Sequence, residues 1–151
     1  MKRLAKLIAT FFYIGHSPWA PGTFGSLAGL GIYFLVKNNI ILYGFTIMFL
    51  FALGIIFTTE AERVYKRKDA RMIVIDEVSG MLLALFMVPY SIASAVIGFI
   101  LFRLFDITKP PPARRIEKIS GAFGIMFDDI IAAIYTNVIL QVVLRAILHQ
   151  F

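Results

Sequence analysis

Long apolar runs alternate with short polar, mostly basic loops along this chain. Five runs stand out, at residues 21–36, 40–58, 73–88, 91–105 and 123–148. Between them lie Lys37-Asn38-Asn39, the charged stretch 60–71, the turn Pro89-Tyr90 and the polar loop 106–120. The runs lack the two-residue alternation of a barrel strand, so helix is the spanning element they predict. Run 40–58 is uncharged and, at 1.5 Å per residue, about long enough to cross a hydrocarbon core of roughly 30 Å. The predicted fold is all-α: one domain over residues 1–151, a polytopic helical membrane bundle of about five apolar helices plus an N-terminal interfacial helix. In that first helix Leu4, Leu7, Ile8, Phe11 and Phe12 share one side, beside Lys2, Arg3 and Lys6, and no small-x-small cleavage pattern follows it.

Lys and Arg distribute unevenly among the loops. The N-terminus holds Lys2, Arg3 and Lys6; Lys37 is alone in the first hairpin; Arg63, Lys66, Arg67, Lys68 and Arg71 crowd the second loop; the turn at 89–90 has none; Arg103, Lys109, Arg114, Arg115 and Lys118 follow. By the positive-inside rule the N-terminus and loops 60–71 and 103–120 face the cytoplasm. That alternation requires the uncharged stretch 78–102 to turn back at Pro89 as a hairpin, since a single kinked span would place the two most basic loops on opposite sides.

A hydrophobic fraction of 60% is well above a soluble composition. The net charge of +6 and pI near 9.8 do not imply nucleic acid, because the basic residues sit in separate loops rather than on one polar face; anionic lipid is the expected partner. The absence of cysteine excludes disulfides, thiolate ligands and a cysteine nucleophile.

The acids change the picture most. Of nine carboxylates, Asp76, Glu77, Asp106, Asp128 and Asp129 lie at ends of apolar runs beside basic loops. Carboxylates there are costly unless a cation or a function holds them. With the hairpin, all five gather on the cytoplasmic face with the turn Ala20-Pro21-Gly22-Thr23-Phe24-Gly25-Ser26. Oxygen-only ligation suits Mg²⁺, Mn²⁺ or Ca²⁺, and the nearby Arg71, Arg103 and Lys109 suit a phosphate-bearing substrate. Thr23 and Ser26 offer hydroxyls, with free N–H groups, at a helix start that attracts phosphate; a plain capping turn would look the same. There is no Walker A sequence, and the two histidines, His16 and His149, have no assigned role.

Taken in order, Pro18-Trp19-Ala20-Pro21-Gly22-Thr23-Phe24-Gly25-Ser26, Asp69 with Ile73-Val74-Ile75-Asp76-Glu77-Val78-Ser79-Gly80, Phe102-Arg103-Leu104-Phe105-Asp106-Ile107-Thr108-Lys109-Pro110, and Gly124-Ile125-Met126-Phe127-Asp128-Asp129 make the chain resemble the phosphatidylglycerophosphatase A family. It departs from the family pattern at Ala122 and at Ala132-Ala133. The resemblance implies a Mg²⁺-dependent phosphatase of the bacterial inner membrane, facing the cytoplasm, that hydrolyses the terminal phosphomonoester of phosphatidylglycerophosphate, a phospholipid substrate, to phosphatidylglycerol. It carries the family's acids over to Asp76, Glu77, Asp106, Asp128 and Asp129 and its phosphate-facing cation to Lys109, with Arg103; joined to the reading above, Asp76, Glu77, Asp128 and Asp129 are the expected metal ligands, Asp106, Lys109 and Asp129 the expected catalytic residues, and Thr23, Ser26, Arg103 and Arg71 the expected substrate contacts. Two rival readings are a divalent-cation transporter, which would need polar groups near mid-bilayer too, and a CDP-alcohol phosphotransferase, whose spaced Asp-Gly and Ala-Arg signature is missing.

Overall fold

The computed structural model describes residues 2–68, 70–119 and 121–148, so Asp69 and His149 fall outside the described residues. Among those residues all regular structure is helical: α1 (Lys2–Ala9), α2 (Pro21–Val36), α3 (Ile40–Tyr65), α4 (Ile75–Ala84), α5 (Ile92–Thr108), α6 (Ala113–Ile116) and α7 (Ala122–Leu148), with a 3-10 turn at Ile14–His16.

Local chemistry sets several of the starts. Pro21 opens α2, where its missing N–H costs nothing. The Asn39 side chain accepts from the N–H groups of Ile41 and Leu42 at 3.1 and 3.0 Å, capping α3. Ser91 accepts from Ser94 N–H at 2.9 Å and caps α5. Stretch 78–102 breaks between Ala84 and Ile92, giving the expected hairpin.

Among the described residues only α3 and the 122–146 part of α7 are long and apolar enough to cross a membrane, not about five helices. The other runs yield shorter elements. At 1.5 Å per residue, the 16 residues of α2 span about 24 Å and the ten of α4 about 15 Å. The 17-residue α5 carries Arg103 and Asp106 near its end. Other boundaries move too. Helix α3 continues through the charged residues 60–65, and α7 begins at Ala122, placing Asp128 and Asp129 well inside it. The N-terminal helix ends at Ala9, and Phe11, Phe12 and Tyr13 adopt left-handed backbone angles of 44°, 55° and 67°. The predicted apolar stripe therefore stops short of Phe11; Ala5 and Ala9 are the residues α1 buries, packed against α3.

Helix α4 is the hub. Its Val78, Met81 and Leu82 are completely buried, with Phe102 from α5 and Ala133 from α7. Helix α2 reaches it through glycines: a Cβ on Gly29 would stand 2.6 Å from the Val78 carbonyl oxygen. Helix α3 behaves differently. Only 17% of its apolar window is buried, and Ile41, Phe45, Met48 and Ile56 are exposed, an apolar surface far larger than isolated surface hydrophobics produce.

The end of α4 needs outside help, because its last carbonyls have no intrahelical donor. Asn137 supplies it from α7, its Nδ2 reaching the carbonyls of Phe86, Ala84 and Leu83 at 2.8, 3.1 and 3.4 Å. Replacing Asn137 by Leu should destabilise the fold by about 1–3 kcal/mol. Thermal unfolding in detergent would show it, and an unchanged midpoint would mean these carbonyls find other donors.

Candidate active site

Four elements deliver side chains to one cavity of about 410 Å³. The start of α2 contributes Pro21, Gly22 and Thr23; α4 contributes Asp76 and Glu77; the end of α5 contributes Arg103, Asp106 and Lys109; α7 contributes Asp128 and Asp129. Arg71 enters from the loop before α4, its Nη2 donating to the Trp19 carbonyl at 3.2 Å. Five carboxylates thus face three cations, a balance that one divalent cation would neutralise.

Asp76, Glu77 and Asp129 each point one carboxylate oxygen to a common point, all three within 4.8 Å of one another. The rotation of about 100° between helical neighbours accounts for the different fate of Asp128. Its Oδ2 takes the Lys109 ammonium at 2.5 Å and its Oδ1 accepts from Asp129 N–H at 3.0 Å. Glu77 Oε2 and Asp129 Oδ2 are buried and accept no hydrogen bond. Buried oxygens without donors are costly, and an oxygen-seeking cation would satisfy them, so these residues fit Mg²⁺.

The cations are held as firmly. Arg103 Nη1 pairs with Asp106, lies 3.9 Å from Glu77 and donates to Ser26 Oγ at 3.5 Å. Lys109 bridges Asp128 and Glu117, the latter at 3.2 Å. Burial opposes the Lys109 charge, but the two carboxylates outweigh it and hold the ammonium above the usual lysine range. Lys109 also has a left-handed backbone (φ 45°) as the cap of α5, which turns it away from the helix direction.

Burial is the main influence on Glu77, on the short α4, and pushes its carboxyl up to about 8; a hydrogen bond from Asp76 opposes the rise, Asp129 and Asp106 add to it, and Arg103 opposes it. The sign of the pH effect follows. Without divalent metal, the folded chain keeps a proton that the unfolded chain releases above its ordinary value of 4.5, so stability should fall as pH rises between those values. Melting curves in EDTA should show that decline and saturating Mg²⁺ should abolish it; a flat profile in EDTA would contradict the buried placement of Glu77.

Of the expected site residues, Asp76, Glu77, Asp106, Lys109, Asp128, Asp129, Thr23, Arg71 and Arg103 all line the cavity. Ser26 does not: its hydroxyl is buried, donates to the Gly22 carbonyl at 3.0 Å and supports Arg103 from behind. His16 lies elsewhere, with its Nε2 3.2 Å from the Tyr65 hydroxyl. Sequence reasoning missed Glu117, whose partner precedes it by a proline-rich turn, and also the rim residues Trp19 and Ile107. A large aromatic side chain just before the glycine turn was the available signal for Trp19.

The family model described as Phosphatidylglycerophosphatase A matches residues 7–144. A Bacteroides thetaiotaomicron protein provisionally named a phosphatidylinositol-3-phosphatase is 36% identical, the match covering 94% of this chain and 96% of that protein. Proteins named Phosphatidylglycerophosphatase A from Haemophilus influenzae and Escherichia coli are 37% and 34% identical, covering 88% and 89% of this chain and 84% and 80% of theirs. No solved structure matches. A family match over residues 7–144, with relatives more than 30% identical over most of both chains, means that the chain belongs to the phosphatidylglycerophosphatase A family.

Proposed function

We propose that this protein is a Mg²⁺-dependent lipid phosphatase that hydrolyses the terminal phosphomonoester of phosphatidylglycerophosphate, giving phosphatidylglycerol and phosphate. The observation that carries this reading is the meeting of Asp76, Glu77 and Asp129 oxygens in a cavity also lined by Arg71, Arg103 and Lys109. Family membership supports the substrate. The bare apolar surface of α3 and the two helices long enough to span support a place in the bacterial inner membrane. The basic loops next to the cavity support an orientation in which it opens to the cytoplasm. Crowding of the acids at one end of the bundle argues against a cation pathway, which would need polar groups along its length.

Asp76, Glu77 and Asp129 would hold Mg²⁺, which when bound neutralises phosphate charge and makes phosphorus more electrophilic. Lys109 and Arg71 bind the phosphate oxygens and stabilise the charge that grows on them. Arg103 fixes the Asp106 carboxylate, which takes a proton from the attacking water. Water oxygen bonds to phosphorus, the ester P–O bond breaks, the departing glycerol oxygen takes a proton from solvent, and Asp106 returns to solvent the proton it took from the attacking water.

The test is phosphate release by purified protein in detergent from phosphatidylglycerophosphate, with Mg²⁺ and with EDTA. Release should require the metal and return on its readdition. Phosphatidylinositol 3-phosphate belongs in the same assay because one relative carries that name; a higher kcat/KM on it would move the substrate assignment to that lipid. Release in EDTA equal to that in Mg²⁺ would refute the metal requirement.

A further inference from the structure

The cavity changes character between floor and rim. Its floor is charged and enclosed, with Asp76, Asp128 and Asp129 at most 7% exposed. Two large apolar side chains stand at its edge, Trp19 at 86% and Ile107 at 70% exposure. They come from different elements, Trp19 from the loop entering α2 and Ile107 from the last turn of α5. The Trp19 backbone is tied down by the Arg71 hydrogen bond to its carbonyl, so the indole is presented at the mouth while its faces cover little of the protein. Behind the rim, α2 carries exposed Phe24 and Leu27, and α5 carries exposed Ile100 and Leu104. Apolar surface thus flanks the charged cavity on the two helices that frame its entrance.

We propose that Trp19 and Ile107 are specificity-determining residues that receive the acyl-glycerol part of the substrate, shielding the first chain methylenes while the phosphate reaches the carboxylate floor. The proposal rests on the lipid phosphatase reading above and adds the feature that separates a lipid from a water-soluble phosphomonoester. Bare apolar side chains beside a charged cavity of this size favour a ligand that brings phosphate and apolar chain together. The indole suits this position, since tryptophan favours the headgroup level of a bilayer.

The experiment compares kcat/KM for dioleoyl phosphatidylglycerophosphate and its diacetyl counterpart, which has no chain methylenes, both with the same detergent micelles present, for wild-type protein, Trp19→Ala, Ile107→Ser and Trp19→Phe. The wild-type preference for the long-chain lipid should fall about tenfold in Trp19→Ala, the effect of unshielding about two methylenes. The change should lie in KM, Ile107→Ser should share it, and Trp19→Phe should recover most of the preference. Equal losses on both lipids would show that these residues merely shape the cavity, and an unchanged preference with weaker partitioning into vesicles would make Trp19 a general membrane anchor; either result overturns the proposal. If wild-type protein released phosphate from neither lipid, the phosphatase reading itself would fail. That outcome is separate from a wild-type enzyme whose variants keep their chain preference.

Discussion

Asp129→Asn should slow phosphate release by about a thousandfold at ordinary Mg²⁺ concentrations, because it removes one of the three converging carboxylates that would hold the metal in the proposed reaction. Asparagine keeps the shape but turns either a neutral oxygen or an N–H₂ group toward the ion. Folding should survive: Asp129 is 3% exposed among other acids, so losing its charge relieves repulsion. The neighbouring Asp128→Asn makes the comparison informative. Asp128 holds Lys109, so its loss should lower kcat while Mn²⁺ affinity, followed by electron paramagnetic resonance, stays near the wild-type value. Metal affinity lost from Asp128→Asn and kept in Asp129→Asn would reverse the assignment of the two adjacent acids.

Gly22→Ala should be nearly as damaging, at about a hundredfold in kcat/KM, the scale reached when catalytic groups shift by about an ångström. A Cβ at position 22 would overlap Glu77 Oε1 and stand 3.0 and 3.1 Å from the two terminal Arg103 nitrogens. The added methyl therefore pushes on a proposed metal ligand and on the guanidinium that pairs with Asp106. Alanine is the better helix former, so helix content should be preserved. Circular dichroism equal to wild type with low activity is the expected pair of results; full activity would mean that α2 can retreat from α4 at no cost. Gly31, with nothing within 4 Å of its Cβ position, is the control, and Gly31→Ala should leave turnover unchanged.

What could be read from the sequence was mostly local. The apolar runs became helices because periodicity, the Asn39 cap and Pro21 act within a turn of themselves. The hairpin at Pro89 followed from charge counting across loops. The number of spans was not legible, because hydropathy records that a segment avoids water and not whether lipid or protein replaces it; α4 is the most apolar-packed helix and too short to cross. Its end was equally hidden, since the donor that closes it, Asn137, lies 51 residues beyond Phe86. The acidic residues were legible as a set, but not their division of labour. Which of Asp128 and Asp129 joins Asp76 and Glu77 depends on a helix rotation that only the positions of Lys109 and α4 decide.

The unequal lengths of α2 and α3 have a consequence for how a phospholipid meets this protein. Both helices flank the turn at 37–39, and the uncharged part of α3, residues 40–59, measures about 30 Å against about 24 Å for α2. With both helices upright in the proposed membrane placement, the carboxylate floor at the start of α2 would lie a few ångströms below the level where α3 becomes charged, at the depth of glycerol esters rather than of bulk water. In that placement a lipid would bring its phosphate to the floor by sideways diffusion, its tails never leaving the leaflet, and the enzyme would be spared the desolvation work of extracting its substrate.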